Sequence, residues 1–202
     1  LHTNQLTSID ANAFSGLTSL RMLYLNDNEL ASIDADAFSE LTSLETVHLH
    51  NNRLASIPEN IFEGLTSLET VHLHNNQLES IPENVFDGLP NIRTINLGGN
   101  RLESIPENVF DGLTNLQRLY LDNNQLASID ANAFSGLTSL QTVHLHNNRL
   151  ESIPSNAFSG SINLQRLNLD NNTCIIGDID STSLKVYRMN DSDEWVEKER
   201  ND

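Results

Sequence analysis

The sequence predicts an α/β solenoid, a right-handed superhelix with a parallel β-sheet on its concave side and a mostly irregular convex side of turns or short 3-10 segments. Three observations support this fold. The chain resembles itself at every 24th residue without insertions, which is typical of solenoids. Each repeat contains a short stretch of alternating apolar and polar residues, the pattern of a half-buried strand. Isoleucine and phenylalanine recur at fixed positions after that stretch.

The repeat frame is L-x-x-[LVI]-x-L-x-x-N-x-L, and it fixes the domain organisation. It opens at Leu20, Leu44, Leu68, Ile92, Leu116, Leu140 and Leu164. Strands at this constant spacing run in one direction, and the rule for parallel crossovers makes the coil right-handed. We expect residues 1–174 to form the solenoid, with a partial repeat at 1–19, six full repeats at 20–163 and a degraded repeat from 164. We expect residues 175–202 to form a C-terminal cap or tail.

The other fixed positions predict the interior. The frame asparagines lie where the chain leaves each strand, so their amides can satisfy buried turn backbone. All seven phenylalanines recur at one position of the repeat and predict an aromatic spine: Phe14, Phe38, Phe62, Phe86, Phe110, Phe134 and Phe158. Pro58 and its equivalents follow the isoleucines and disfavour helices on the return segments.

Composition excludes several classes of partner. The formal net charge is −17, which argues against nucleic acid or an anionic membrane surface, because both require basic patches. No apolar run approaches the roughly 20 residues that cross a bilayer, so we expect no membrane insertion. The single cysteine, Cys174, excludes an internal disulfide and falls at a leucine position of the frame, where we expect it to be buried.

One segment shows a family resemblance. Residues 80–92, SIPENVFDGLPNI, together with the frame, resemble the 24-residue typical leucine-rich repeats of Toll-like receptors, Slit-type proteins and lamprey variable lymphocyte receptors. The resemblance covers roughly residues 1–173. It implies a secreted or cell-surface recognition module, with innate or adaptive-like immune recognition as one role. The cysteine caps of that family are absent from this sequence, which keeps a cytoplasmic location open as the alternative.

The polar positions of the predicted strands define a candidate binding surface for a protein or glycan ligand. Tyrosine and arginine are enriched at binding hot spots, and we expect an anchor patch formed by Arg118, Tyr120 and Asp122 with Arg166 and Asp170. The full set of candidate ligand-binding residues is Tyr24, His48, His50, His72, His74, Arg93, Arg118, Tyr120, Asp122, His144, His146, Arg166 and Asp170. Gly98 and Gly99 predict a dent in this surface.

Four histidines, His48, His50, His72 and His74, predict the alternative function of metal binding. Neighbouring strands lie about 4.8 Å apart and residues i and i+2 about 6.8 Å apart, so the four imidazoles share a small area. His48 with His72, or His50 with His74, can then reach one Zn²⁺, Ni²⁺ or Cu²⁺ ion. Crowded exposed imidazoles that titrate near neutrality also suggest pH-sensitive binding. The VHLHNN sequence recurs at His144 and His146, which we expect to lack such neighbours.

Catalysis is not expected, because an open sheet offers no pocket that excludes water around a nucleophile or base. A purely structural or designed scaffold is the third alternative, since the segment DANAFSGLTSL occurs identically at 10–20 and 130–140.

Two expectations concern the ends of the chain. The N-terminal edge lacks a polar cap and predicts self-association. Near the C-terminus, Ser183–Met189 predicts a last strand and Trp195 a side chain that folds over the last repeat.

Overall fold

The computed structural model describes residues 1–173 and, as backbone alone, residues 187–189 and 195–197. Cys174 lies outside these residues. The described chain winds into a solenoid of about seven turns that consists of strands and turns without a helix. The predicted fold class is therefore confirmed. The described part contains no helix with the length and apolarity needed to cross a membrane.

The main sheet contains seven parallel strands, one from each repeat. They are β2 (Met22–Tyr24), β4 (Thr46–His48), β5 (Thr70–His72), β6 (Thr94–Asn96), β7 (Arg118–Tyr120), β8 (Thr142–His144) and β9 (Arg166–Asn168). Each residue pairs with the one 24 positions further on, so Tyr24 lies beside His48 and His48 beside His72. The middle residue of every strand is buried, which leaves the flanking residues on the opposite, concave face.

The aromatic spine fills the interior behind the sheet. The five central phenylalanines are almost completely buried: Phe38, Phe62, Phe86, Phe110 and Phe134. The rings from Phe62 to Phe134 stack in sequence, with centroids 6.2 Å apart between Phe62 and Phe86 and 6.1 Å apart between Phe86 and Phe110. The prediction of an internal spine is confirmed. Because Phe86 and Phe110 each stack on the rings of both adjacent repeats, the spine ties the central turns of the coil together.

The frame asparagines satisfy the turn backbone, as predicted. In Asn52, Oδ1 accepts a hydrogen bond from the Leu30 amide at 3.0 Å, while Nδ2 donates to the carbonyl oxygens of Leu25 and Leu49, both at 3.0 Å. Asn76, Asn100, Asn124 and Asn148 repeat this arrangement. One amide thus joins two successive repeats at the point where the chain enters the core.

The return segments form hydrogen-bonded turns. The Leu65 amide donates to the Phe62 carbonyl at 3.2 Å and the Leu68 amide to the Leu65 carbonyl at 2.9 Å. Gly64 adopts a φ of 75° at this bend, a conformation that glycine tolerates without strain. Acidic side chains are exposed on these segments, among them Glu59, Glu83, Glu107 and Asp111. The convex side is therefore irregular, as predicted, and acidic in its middle repeats.

Both ends depart from the regular pattern. At the N-terminal end, β1 (Ser8–Ile9) and β3 (Ser32–Ile33) form a separate two-stranded parallel sheet. Leu1, Leu17 and Met22 are 61%, 48% and 53% exposed there, and self-association through this edge stays a prediction. At the C-terminal end, β10 (Tyr187–Met189) pairs antiparallel with β11 (Trp195–Glu197). The strand expected at Ser183–Met189 is thus described only over its last three residues, and the side chain of Trp195 lies outside the described part.

Candidate functional site

The concave face aligns the predicted site residues in columns. One column contains Tyr24, His48, His72, Asn96, Tyr120, His144 and Asn168, which pair through β2 and β4 to β9. Arg93, Arg118 and Arg166 are exposed beside it, and Tyr24 is exposed at its N-terminal end. The other predicted site residues are half-buried. They are His48, His50, His72, His74, Tyr120, Asp122, His144, His146 and Asp170. The columns arise because every strand pairs in the same register as the last.

The first histidine cluster consists of two stacked pairs. The rings of His48 and His72 are parallel with centroids 4.6 Å apart, and those of His50 and His74 lie 4.3 Å apart. One ligand nitrogen from each of His48, His50 and His72 lies within 4.8 Å of the other two, whereas His74 is not part of this group. The structure therefore brings together three of the four predicted metal ligands, and it does so across both stacked pairs.

Burial changes the titration of this cluster. Desolvation, followed by the neighbouring imidazoles, lowers the pKa of His72 to about 4, and desolvation with His50 lowers the pKa of His74 to about 4. The pKa values of His48 and His50 are also lowered, mainly by burial. The expectation that the whole cluster titrates near neutrality is thus wrong for His72 and His74. Packing against neighbouring rungs removes water from rings that the sequence suggested were exposed.

A second cluster forms where the sequence predicted isolated histidines. Asp122, His144 and His146 bring their ligand atoms within 4.8 Å of one another. The His146 Nε2 lies 3.7 Å from the Asp122 Oδ2, and desolvation by burial lowers the pKa of His144. Among the described residues, no histidine of an adjacent repeat lies beside His144 or His146, as expected, but the Asp122 carboxylate does, which the sequence analysis did not anticipate. The missed signal was the register itself, which places Asp122 exactly one repeat before His146.

The predicted dent at Gly98 and Gly99 is occupied. A Cβ atom added to Gly98 would lie 3.0 Å from Oδ1 of Asp122, so this carboxylate covers the glycine. Gly99 lies against the Asn75 side chain and adopts a φ of 64°. The glycines therefore make room for neighbouring side chains and do not open a cavity.

A concavity forms at the C-terminal part of the sheet. It has a volume of about 430 Å³ and is lined by Arg118, Tyr120, Gln141, Thr142, His144, Gln165, Arg166, Leu167 and Asn168. Arg118, Tyr120 and Arg166 of the predicted anchor patch line it, whereas Asp122 and Asp170 do not. Sequence reasoning missed Gln141, Thr142 and Gln165, although each occupies the same frame position as a residue already singled out.

The charge of this concavity is unusual for so acidic a chain, since its lining contains two arginines and no carboxylate. Arg21 and Arg93, by contrast, pair with Glu45 and Glu69 of an adjacent repeat at 2.6 and 3.5 Å. The Arg118 Nε donates to the Thr94 hydroxyl at 3.2 Å. The guanidinium groups therefore lack an acidic partner among the residues that line the concavity. That arrangement suits a ligand that carries a carboxylate.

Sequence and structure comparisons both identify leucine-rich repeat proteins as similar to this chain. Residues 2–117 match the BspA type leucine rich repeat region in six copies, and residues 91–150 and 138–178 match the leucine rich repeat. No curated protein matches the chain in sequence.

Two solved structures are similar to the chain. The leucine-rich repeat part of FLRT2, in an octameric complex with Latrophilin 3 and Unc5D, shares 27% identity with a TM-score of 0.72, over 92% of this chain and 67% of that one. Toll, from the Toll–Spatzle complex of Drosophila, shares 29% identity with a TM-score of 0.74 over 86% of this chain. The match spans only 26% of the Toll chain.

Proposed function

Because the chain belongs to the leucine-rich repeat family, we propose that it is a non-catalytic recognition module that binds a protein ligand through its concave face. The observation that supports this most directly is the concavity lined by Arg118, Tyr120 and Arg166. Tyrosine and arginine are enriched among the hot spots of protein interfaces. The sheet that carries them is held in register by the buried asparagines and the phenylalanine spine, so binding requires little ordering of the site.

The structural neighbours favour a protein over a glycan. FLRT2 is found in a complex with Latrophilin 3 and Unc5D, and Toll in a complex with Spatzle. By analogy, we place the chain in the extracellular space or at the cell surface. A role in immune recognition is one form of this proposal, since the Toll–Spatzle complex is described as a hub of development and innate immunity.

The test is affinity capture from the extracellular fraction of the source organism with the immobilised chain and its variants. Arg118→Ala and Tyr120→Ala should each weaken binding of the captured protein by roughly 30-fold, the effect of a hot spot of about 2 kcal/mol. Asp111→Asn on the convex side serves as the control and should leave the affinity unchanged. Equal capture by all three variants, or loss through Asp111→Asn alone, would refute recognition by the concave face. Capture of a glycan would replace the proposed class of ligand.

Metal binding at the first histidine cluster is the second candidate function, supported by the proximity of His48, His50 and His72. Lowered pKa values keep their imidazoles neutral at pH 7, the form that coordinates metal. Calorimetric titration with Zn²⁺ should show binding that His50→Ala and His72→Ala each reduce strongly. The matched variant His74→Ala removes a stacked imidazole outside the group and should reduce it less. Equal effects of the three substitutions would argue against this assignment.

A further inference from the structure

We infer that Asp122, His144 and His146 form a second binding site, for Zn²⁺ or a similar divalent transition metal ion. The three side chains extend from adjacent rungs of the concave sheet, Asp122 just after β7, His144 at the end of β8 and His146 two residues later. Two imidazoles and one carboxylate are a common ligand set for zinc. The inference does not depend on the recognition function or on the first histidine cluster.

The separation of His146 and Asp122 suits a shared ion better than a direct contact. The His146 Nε2 and the Asp122 Oδ2 are 3.7 Å apart, which is too far for a hydrogen bond. Ligand atoms about 2.1 Å from a tetrahedral zinc ion lie about 3.4 Å from each other. A shift of a few tenths of an ångström would therefore bring this pair to coordination distance.

Two neighbours hold the carboxylate in place. The Asn123 Nδ2 donates a hydrogen bond to the Asp122 Oδ2 at 2.6 Å. Gly98 makes room for the carboxylate, since a Cβ atom at this position would lie 3.0 to 3.2 Å from Oδ1, Cγ and Oδ2 of Asp122. Groups that orient metal ligands in this way commonly change affinity 10- to 100-fold when they are replaced. Gly98 is thus a positioning residue for the proposed site.

The proposed site has a negative and a positive side chain close to it, which act in opposite directions on a bound cation. Asp122 supplies a negative charge that attracts the ion. The Arg166 guanidinium interacts electrostatically with His144, and its positive charge repels a cation. Replacement of Arg166 by glutamine should therefore strengthen metal binding, whereas it should weaken a carboxylate ligand in the neighbouring concavity.

Three protein ligands leave at least one coordination position of a tetrahedral ion open. The Asp122 and His146 side chains are each 19% exposed, so the site is open to solvent on the concave surface. Water or a donor atom of a bound partner can then complete the coordination. The site would be a contact point on the face that we propose for recognition.

The experiment isolates this site in the full chain with the His50→Ala/His72→Ala variant, which removes the first cluster. Titration with Zn²⁺ by calorimetry, and with Co²⁺ by its visible absorption, should show one ion per chain. Addition of Asp122→Asn should weaken binding at least tenfold, and addition of Gly98→Ala should weaken it roughly 10- to 100-fold without removing a ligand. Addition of Asp111→Asn, which removes the same charge from the convex side, should have no effect.

Two results would overturn the inference. One is the absence of saturable binding in the folded His50→Ala/His72→Ala variant, with folding checked by circular dichroism. The other is equal affinity before and after Asp122→Asn. If the double variant does not fold, wild-type chain provides the test instead: Asp122→Asn or His146→Ala should then lower the zinc stoichiometry by one ion, and an unchanged stoichiometry would refute the site.

Discussion

Replacement of Asn76 by alanine tests how much the buried asparagines contribute to the coil. Asn76 lies in the middle of the array and is 8% exposed. Its Oδ1 accepts from the Leu54 amide at 3.0 Å. Its Nδ2 donates to the carbonyl oxygens of Leu49 and Leu73, each at 3.0 Å. Alanine would leave the buried Leu54 amide without its partner, whereas both carbonyl oxygens would still accept a hydrogen bond from the frame asparagine of a neighbouring repeat.

The magnitude follows from those three bonds. A typical intramolecular hydrogen bond contributes about 1 kcal/mol net, and a buried group left unsatisfied costs about 1–3 kcal/mol. We therefore expect Asn76→Ala to lower the free energy of unfolding by about 2–3 kcal/mol, most of it from the unpaired Leu54 amide. Water that enters the turn can recover part of this loss.

Urea unfolding followed by circular dichroism measures this effect. Asn84→Ala is the matched control, because it makes the same substitution at an exposed asparagine whose Nδ2 donates only to the Glu59 carboxylate at 3.4 Å. Exposed substitutions of this kind usually change stability by less than about 0.5 kcal/mol. If Asn76→Ala costs no more than Asn84→Ala, the asparagines do not stabilise the coil in the way inferred here.

Three further predictions concern the spine, the histidines and Gly99. Phe86→Ala removes a fully buried ring stacked between two others and should cost about 3–5 kcal/mol in urea unfolding; a loss below about 1 kcal/mol would contradict the spine. The pKa values of His72 and His74 are lowered to about 4, so the unfolded chain binds more protons between pH 6.5 and 4. Stability should therefore fall as pH falls through that window, and His72→Gln/His74→Gln should flatten the pH profile of the melting temperature. Gly99→Ala places a side chain at a φ of 64° against Asn75 and should cost at least about 1–2 kcal/mol; an unchanged melting temperature would refute the crowding.

The sequence predicted the repeat geometry because that geometry depends on spacing alone. A constant offset places Val47 beside Val71 and His48 beside His72, whatever the rest of the chain does. The burial of Phe86 and the exposed position of Glu107 follow from the same regularity. No long-range contact needed to be guessed, since each repeat contacts its neighbours.

The exposed asparagines show the limits of that reasoning. Asn51 and Asn75 both adopt positive φ values, 55° and 54°, and the Asn75 Nδ2 donates to the Asn51 Oδ1 at 2.9 Å. Asparagine tolerates this conformation better than most residues. The sequence shows the column but not the side-chain ladder along it, because the ladder depends on rotamers and on how closely the turns stack.

The sequence by itself therefore determined the coil, its interior and the face on which each column lies, because one repeated spacing fixes all three. Only the tertiary structure decided which polar side chains on that face act together. The Asp122 carboxylate lies close to the His146 imidazole and is not part of the patch around Arg118. The ligand atoms of His48 lie close to those of His50 and His72, and His74 is outside this group. The reason is that these groupings depend on side-chain direction, burial and neighbouring volume over distances of a few ångströms, whereas a repeat period specifies only which backbone positions are adjacent.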